Sequence, residues 1–129
     1  MSKKTIIKHK NYISWGKEKL YGKETFWSKS NYREHVVRHE KIWTDELTFL
    51  ETLSDPDVIY QDLYFDTTFC YYRFNSFGKG IHSQVIVSME PTGIYAPQKG
   101  DYAIVKTAMD RDNIPENRTD PKFSKKKRK

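Results

Sequence analysis

The sequence predicts an α+β fold in which N-terminal helices pack on an antiparallel sheet of about four strands. Two observations lead to this prediction. Apolar residues recur at helical spacing between positions 30 and 54, and after Pro56 their period changes to two. Turn-forming residues separate the later segments from one another. Helices followed by a meander of strands are typical of an α+β architecture, with the helices on one face of the sheet.

The first helix is predicted to run from Ser30 to Trp43. Ser30 or Asn31 can act as its N-cap, because both side chains accept hydrogen bonds from the free N–H groups of a first turn. At about 100° per residue, one continuous stripe forms from Ile42, His35, His39, Tyr32, Trp43 and Val36. A second helix is predicted to begin at Thr44 and to end at the proline-containing turn 54–57.

Four strands are predicted after this turn. They cover residues 58–64, 69–75, 81–89 and 102–109. A hairpin at 75–80 and a loop at 90–100 connect them, since both segments contain glycines. In the last strand, simple alternation places Thr107 on the same face as Ala103, and Lys106 on the opposite face.

One domain is predicted over residues 1–112, with its core at 30–110. Residues 1–28 form a basic N-terminal segment whose aromatic rings indicate that it docks on the core. Residues 113–129 are predicted to be a polar linker with two prolines, followed by a basic tail.

The net charge of +6 is unevenly distributed along the 129 residues. Residues 1–30 hold eight lysines and two glutamates, and residues 117–129 hold seven basic residues and one aspartate. Residues 31–116 hold fourteen acidic and eight basic residues. The chain is therefore an acidic body with two basic arms, and such arms favour polyanions through counterion release. A solvated tail that only aids solubility is the alternative interpretation.

Several classes of protein are excluded by the composition. The single cysteine, Cys70, excludes an internal disulfide framework and a cysteine-cluster zinc site. No apolar run approaches the roughly 18 residues of a membrane-spanning helix. No P-loop, dinucleotide-binding glycine motif or serine or cysteine nucleophile elbow is present. We therefore expect a cytoplasmic protein with no membrane partner and no cofactor.

His35 and His39 are the most informative polar residues. Their i, i+4 spacing places both imidazoles on one helix face, with Arg38 at the edge of the same stripe. The alternative is a hydrogen-bonded core histidine beside a second one at the rim. A metal site is not expected, because Val36 stands where the His-Glu-x-x-His motif needs glutamate and no third ligand is evident.

Arg73 and Thr107 are polar residues within apolar strands. An arginine between Tyr72 and Phe74 lies close to the core and needs a partner or a phosphate. A salt bridge to Asp62 or Asp66 would be an ordinary structural explanation for Arg73, and threonine is common in strands.

These residue types suit metal-independent RNA cleavage. That reaction needs a base for the 2′-OH, an acid for the leaving 5′-oxygen, and cations or hydroxyls for the phosphate charge. Histidine is suited to both proton transfers. Exposed aromatic rings can stack on bases, and Tyr71, Tyr72 and Phe74 are the predicted stacking residues. Electrostatic attraction to RNA is assigned to Lys106, Lys125, Lys126, Lys127 and Arg128.

Several short segments resemble the phage- and toxin-associated branch of the barnase–EndoU–colicin–RelE-like (BECR) ribonuclease superfamily. They are the runs 35–40 (His-Val-Val-Arg-His-Glu), 53–59 (Leu-Ser-Asp-Pro-Asp-Val-Ile), 71–73, 85–87 and 105–108. The resemblance covers about residues 30–110. It implies helices on an antiparallel sheet that binds RNA, and metal-free cleavage. The catalytic residues it implies are His35, Arg38 or His39, Arg73 and Thr107.

The sequence thus predicts a toxin- or phage-type endoribonuclease that leaves a 2′,3′-cyclic phosphate on an RNA such as tRNA. His35 is the predicted base or acid with His39 as its partner, Arg38 and Arg73 hold the phosphate, and Thr107 donates to a non-bridging oxygen. An antitoxin or immunity protein is the expected protein partner.

The alternative is a catalytically inactive binding module for nucleic acid or protein, with an acidic docking surface. A DNA-directed nuclease or regulator is a third interpretation. Convergence of these residues favours the enzyme, and their dispersal favours the module.

Overall fold

The computed structural model describes residues 12–89, 102–113 and 121–124. Over these ranges the chain forms a seven-stranded mixed sheet with three short helices. The prediction of N-terminal helices on a four-stranded antiparallel sheet is therefore wrong. Two strands precede the helices, and a short seventh strand follows the predicted meander.

The elements follow one another along the chain as β1 (Tyr12–Lys17), β2 (Glu24–Ser28), α1 (Lys29–Arg38), α2 (Lys41–Thr44), α3 (Glu46–Ser54), β3 (Val58–Gln61), β4 (Thr68–Arg73), β5 (His82–Ser88), β6 (Tyr102–Arg111) and β7 (Phe123–Ser124). The order across the sheet is β1-β2-β6-β5-β4-β3-β7. Strands β2 and β6 are parallel, and every other neighbouring pair is antiparallel. None of the described helices combines the length and hydrophobicity that a membrane span requires.

The predicted meander forms the part of the sheet from β3 to β6, with each strand shifted by a few residues at its ends. The sheet continues beyond it on both sides. The β1–β2 hairpin comes from residues 12–28, which were assigned to a segment outside the core, and Phe123-Ser124 of the predicted tail pairs with β3. Trp15 and Trp27 are buried. Their burial, rather than the basic composition, determines where this segment lies. The predicted loop at 90–100 lies outside the described residues.

The first predicted helix is two helices. Ser28 is the N-cap of α1, rather than Ser30 or Asn31, and its Oγ accepts a hydrogen bond from the Asn31 N–H at 3.2 Å. The helix ends at Arg38, and Trp43, which was placed on the apolar stripe, is exposed. The second predicted helix begins at Glu46 instead of Thr44, and its predicted end before Pro56 is confirmed.

A β-bulge in β6 changes which side chains face the helices. Ile86 pairs with Thr107 whereas Val87 pairs with Val105, so Lys106 is an extra residue on β6. The alternation reverses there, and Ala108 follows Val105 into the core. The predicted placement of Thr107 on the face of Ala103 is therefore wrong.

The hydrophobic core lies between the three helices and one face of the sheet. Its fully buried members include Trp27, Ile42, Phe49, Leu53, Ile59, Tyr71, Val85 and Val87. A smaller buried cluster on the opposite face contains Val58, Cys70 and Tyr72. Since α1 follows β2 directly, the packing of Trp27 in the main core also positions the first turn of α1.

A buried carboxylate organises the turn between β1 and β2. Glu18 is 2% exposed and accepts hydrogen bonds from the backbone N–H groups of Leu20, Tyr21 and Lys23, at 2.7, 3.0 and 2.8 Å. The hydroxyl of Tyr71 on β4 donates to the same carboxylate. A buried carboxylate is tolerated when its oxygens are satisfied in this way. Glu18 therefore fastens the N-terminal hairpin to the centre of the sheet.

Replacing Glu18 by Gln is expected to lower the free energy of unfolding by about 1–3 kcal/mol, because an amide group cannot accept from all four donors. The free energy is measured by urea denaturation. Tyr71→Phe serves as the partner variant in a double-mutant cycle, since it removes one donor and keeps the carboxylate. Equal stability of Glu18→Gln and the unmodified protein would contradict the assigned role of this carboxylate.

Alkaline pH should weaken the same contact. Burial, and then the neighbouring Glu18 carboxylate, raise the pKa of Tyr71 above its usual value of about 10. The unfolded chain releases this proton above about pH 10 while the folded chain retains it. The stabilisation is therefore complete below that pH and is lost as the pH rises. In urea titrations between about pH 9 and pH 12, the stability of Tyr71→Phe should fall less steeply than that of the unmodified protein. If the free energy of unfolding falls equally steeply with pH in both proteins, the pKa of Tyr71 is not raised in the folded state.

Candidate functional site

Helix α1 brings His35 and His39 together near its C-terminus. Their ring centroids lie 6.5 Å apart with an interplanar angle of 28°, and both side chains are half-buried. This proximity follows from the i, i+4 spacing, although His39 occupies the C-cap position rather than a helical one. Both rings remain accessible to a ligand in this arrangement.

The orientation of His35 is set by its contacts within α1 and with β2. Its Nδ1 lies 2.9 Å from the backbone oxygen of Asn31. A carbonyl oxygen only accepts, so in the neutral ring Nδ1 carries the proton and Nε2 carries the lone pair. The ring also packs against Trp27 at 5.7 Å between centroids. His35 therefore combines the predicted structural alternative, a hydrogen-bonded histidine, with an Nε2 that can accept a proton.

The Trp27 ring, which packs against His35, also packs against Tyr32 at 5.2 Å between centroids. The Nε1 of Trp15 donates to the Oε2 of Glu46 at 2.9 Å. Burial, and then the charge of Glu46, raise the pKa of Tyr32 above its usual value. Arg38 is exposed in the last turn of α1, where the helix dipole stabilises a cation. Helix α1 and its C-cap thus carry two imidazoles, a phenol and a guanidinium.

Arg73 lies elsewhere, at the end of β4 beside α3. Its Nη1 is 3.6 Å from the Oδ2 of Asp55, 3.9 Å from the Oε1 of Glu51 and 3.4 Å from the backbone oxygen of Asp55. The predicted salt bridge therefore forms with acidic residues of α3 and its C-cap, not with Asp62 or Asp66. A phosphate at Arg73 would have to approach both carboxylates, which disfavours the predicted role in holding it.

Thr107 is on the face of the sheet opposite to α1. It pairs with Ile86, whose side chain packs with the smaller buried cluster. The β-bulge at Lys106 produces this placement, and Lys106 itself is exposed. The sheet thus separates Thr107 from His35, and a hydroxyl there does not face the same ligand as the two imidazoles.

Tyr71 and Tyr72 have no exposed ring face, since both are 0% exposed. Tyr71 donates to Glu18, and Tyr72 accepts a hydrogen bond from the Nε2 of Gln84 at 2.8 Å. Their predicted role in stacking on bases is therefore wrong for this structure.

The four predicted binding residues of the tail, 125–128, lie outside the described residues. Of the five predicted catalytic residues, the structure brings together His35, Arg38 and His39.

A cavity of about 240 Å³ that no sequence pattern predicts adjoins the first turn of α1. The described residues that line it are Tyr12, Ser28, Asn31, Ile104, Val105 and Lys106. Only Lys106 was predicted to bind nucleic acid. The N-cap signal at Ser28 could have located the start of the helix, but the parallel pairing of β2 with β6 is not visible in either segment alone.

Neither a metal site among the described residues nor a comparison with known proteins points to a function. Within residues 12–89, 102–113 and 121–124, no group of three or more His, Cys, Asp or Glu side chains could hold a metal ion. No protein-family model, curated protein or solved structure matches the chain. A functional assignment therefore depends on the chemistry of the residues themselves.

Arg73→Gln is expected to lower the free energy of unfolding by less than about 1 kcal/mol, because its ion pairs are partly exposed and screened. The same variant should leave any RNA cleavage unchanged, since Arg73 is engaged by two carboxylates away from the histidine pair. Urea denaturation and a cleavage time course measure the two effects. A large loss of cleavage without a loss of stability would show that Arg73 takes part in catalysis.

Proposed function

We propose that the protein is a metal-independent endoribonuclease, of the toxin or phage type that the sequence resembles, and that its reacting groups are His35 and His39. The proximity of the two half-buried imidazoles, 6.5 Å apart, is the observation that carries this proposal. Two groups that exchange protons on either side of one phosphate are the minimum that the reaction requires.

In the proposed reaction the two rings take opposite roles in proton transfer. The Nε2 of neutral His35 takes the proton of a 2′-OH, and the 2′-oxygen attacks the adjacent phosphorus. A protonated His39 gives its proton to the departing 5′-oxygen as the P–O5′ bond breaks. The products are a 2′,3′-cyclic phosphate and a free 5′-OH, and no metal or cofactor takes part.

Arg38 supplies the cation in this proposal. It immediately precedes His39 in the chain, its side chain is exposed, and no carboxylate is paired with it among the described residues. A guanidinium binds the non-bridging oxygens of a phosphate in a bidentate manner and so stabilises the charge that develops on them. Arg73 and Thr107 are not part of this narrower site.

A catalytically inactive binding module is the second candidate. The observation that favours it is the dispersal of Arg73 and Thr107 away from the histidine pair. In this candidate the basic arms bind nucleic acid and the acidic body docks on a partner protein. The two candidates differ in one measurable property, which is cleavage of RNA in the absence of divalent metal.

Incubation of the protein with tRNA and ribosomal RNA in EDTA is expected to produce fragments that end in 2′,3′-cyclic phosphate. His35→Ala should lower the rate by at least about 100-fold, because proton transfer by a positioned group contributes about 10²–10⁴-fold. The 3′ ends of the fragments should resist labelling as long as they carry the cyclic phosphate. They should become labelled after the cyclic phosphate has been removed. Urea denaturation confirms that each variant is folded.

The matched controls are His82→Gln and Thr107→Val. His82 is a histidine outside the pair, and its Nδ1 accepts from the backbone N–H of Asn75 at 3.0 Å. Both controls should cleave at the rate of the unmodified protein. Full activity of folded His35→Ala would refute the site. Absence of cleavage by the unmodified protein on every RNA tested would favour the binding module.

A further inference from the structure

The cavity beside α1 lies at the carboxyl ends of the parallel strand pair. The last paired residues of β2 and β6 are Phe26 and Ile104. Continuing that register by two residues would set Ser28 beside Lys106, but the chain turns into α1 at this point while β6 continues through its bulge. The two strands diverge, and the space between them is the cavity. Ligands commonly bind outside the carboxyl ends of parallel strands.

Two of its lining side chains already accept a hydrogen bond from within the protein. The Oγ of Ser28 accepts from the backbone N–H of Asn31, which leaves the hydroxyl proton of Ser28 to donate elsewhere. The Oδ1 of Asn31 accepts from the Nε1 of Trp27 at 2.5 Å. The side-chain amide nitrogen of Asn31, which carries two N–H bonds, is therefore the part that remains for a ligand.

The other two polar lining residues are also donors. Tyr12 stands directly across from Ser28 in the β1–β2 ladder, and burial raises the pKa of its phenol, which keeps the hydroxyl protonated. Lys106 has an exposed side chain and an ammonium group that only donates. No carboxylate is found among the described residues that line the cavity. The site therefore offers a set of donors that an anion would complete.

We propose that this cavity binds a backbone phosphate of an RNA strand. The identification of the anion as part of RNA rests on the proposed function, whereas the preference for a phosphate rests on the donors alone. Phosphate oxygens accept several strong hydrogen bonds, and lysine is a common partner for them. The volume of about 240 Å³ is well above that of one water molecule, about 30 Å³. It is below the roughly 300–1,000 Å³ of drug-sized pockets.

The position of the cavity relates it to the histidine pair. Asn31 precedes His35 by four residues, and the backbone oxygen of Asn31 contacts the His35 ring. A phosphate at Asn31 is thus about one helical turn, roughly 5–6 Å along α1, from the proposed general base. It would belong to a nucleotide next to the one that is cleaved, and it would hold the strand in register.

The test is a titration with inorganic phosphate, followed by the amide signals of residues 28, 31 and 106 in ¹⁵N-resolved NMR spectra. Phosphate should shift these signals saturably. Lys106→Gln should weaken binding about 10- to 100-fold, which corresponds to the loss of a hydrogen bond to a charged group. Tyr12→Phe removes one neutral donor, and it should weaken binding about three- to tenfold.

The matched control is Lys79→Gln, which removes an exposed lysine from the turn between β4 and β5. Equal weakening by Lys79→Gln and Lys106→Gln would overturn the inference, because it would show non-specific attraction. Absence of shifts at residues 28 and 31 would also overturn it, even if the protein cleaves RNA. Saturable binding that depends on Lys106 supports the phosphate site even if no RNA is cleaved, so that failure of the ribonuclease proposal is recognised separately.

Discussion

The buried carboxylate of Glu18 is the interaction on which the position of the proposed site depends. It binds three backbone N–H groups of its own turn and the hydroxyl of Tyr71 on β4, and the next backbone N–H, that of Lys19, donates to the oxygen of Leu53 at 2.9 Å. These contacts attach the N-terminal hairpin to the sheet and to α3. Because β2 leads directly into α1, the hairpin also determines where His35 lies. A buried carboxylate without these partners would be strongly unfavourable, so the hairpin has one defined position.

The parallel pairing of β2 with β6 determines the end of the sheet at which the proposed sites lie. At that end β2 passes into α1, β6 passes through its bulge, and the cavity with its hydrogen-bond donors lies between them. His35 follows about one turn farther along α1, and His39 follows at the C-cap of the helix. In the proposed arrangement, an RNA strand along α1 would contact first the proposed phosphate site and then the two histidines proposed to exchange protons. Arg73, at the carboxyl end of β4, is instead paired with the carboxylates of Glu51 and Asp55.

Much of the central sheet could be predicted because a period of two is a local signal. The strands β3 to β6 were recognised in this way, and so was the helical character of residues 29–54. The aromatic rings of residues 1–28 indicate docking on the core, and Trp15 and Trp27 are indeed buried. The two strands of the hairpin were not predicted, because β2 pairs with β6, which is far away along the chain. The predicted face of Thr107 is wrong because a bulge adds one residue to β6, and no pattern in the sequence indicates it. Tyr71 and Tyr72 resembled exposed stacking residues, yet their hydroxyls form buried hydrogen bonds with Glu18 and Gln84.

The sequence by itself determined the presence of helices before a meander, the uneven charge, and the proximity of His35 and His39. Each of these depends on spacing or composition within a short stretch of chain. Only the tertiary structure decided that the N-terminal segment belongs to the sheet and that Thr107 faces away from the histidines. It also decided that Ser28, Asn31 and Lys106 border one cavity. These features depend on pairings between residues far apart in the chain, and the free energy that selects them comes from burying whole surfaces rather than from any local preference.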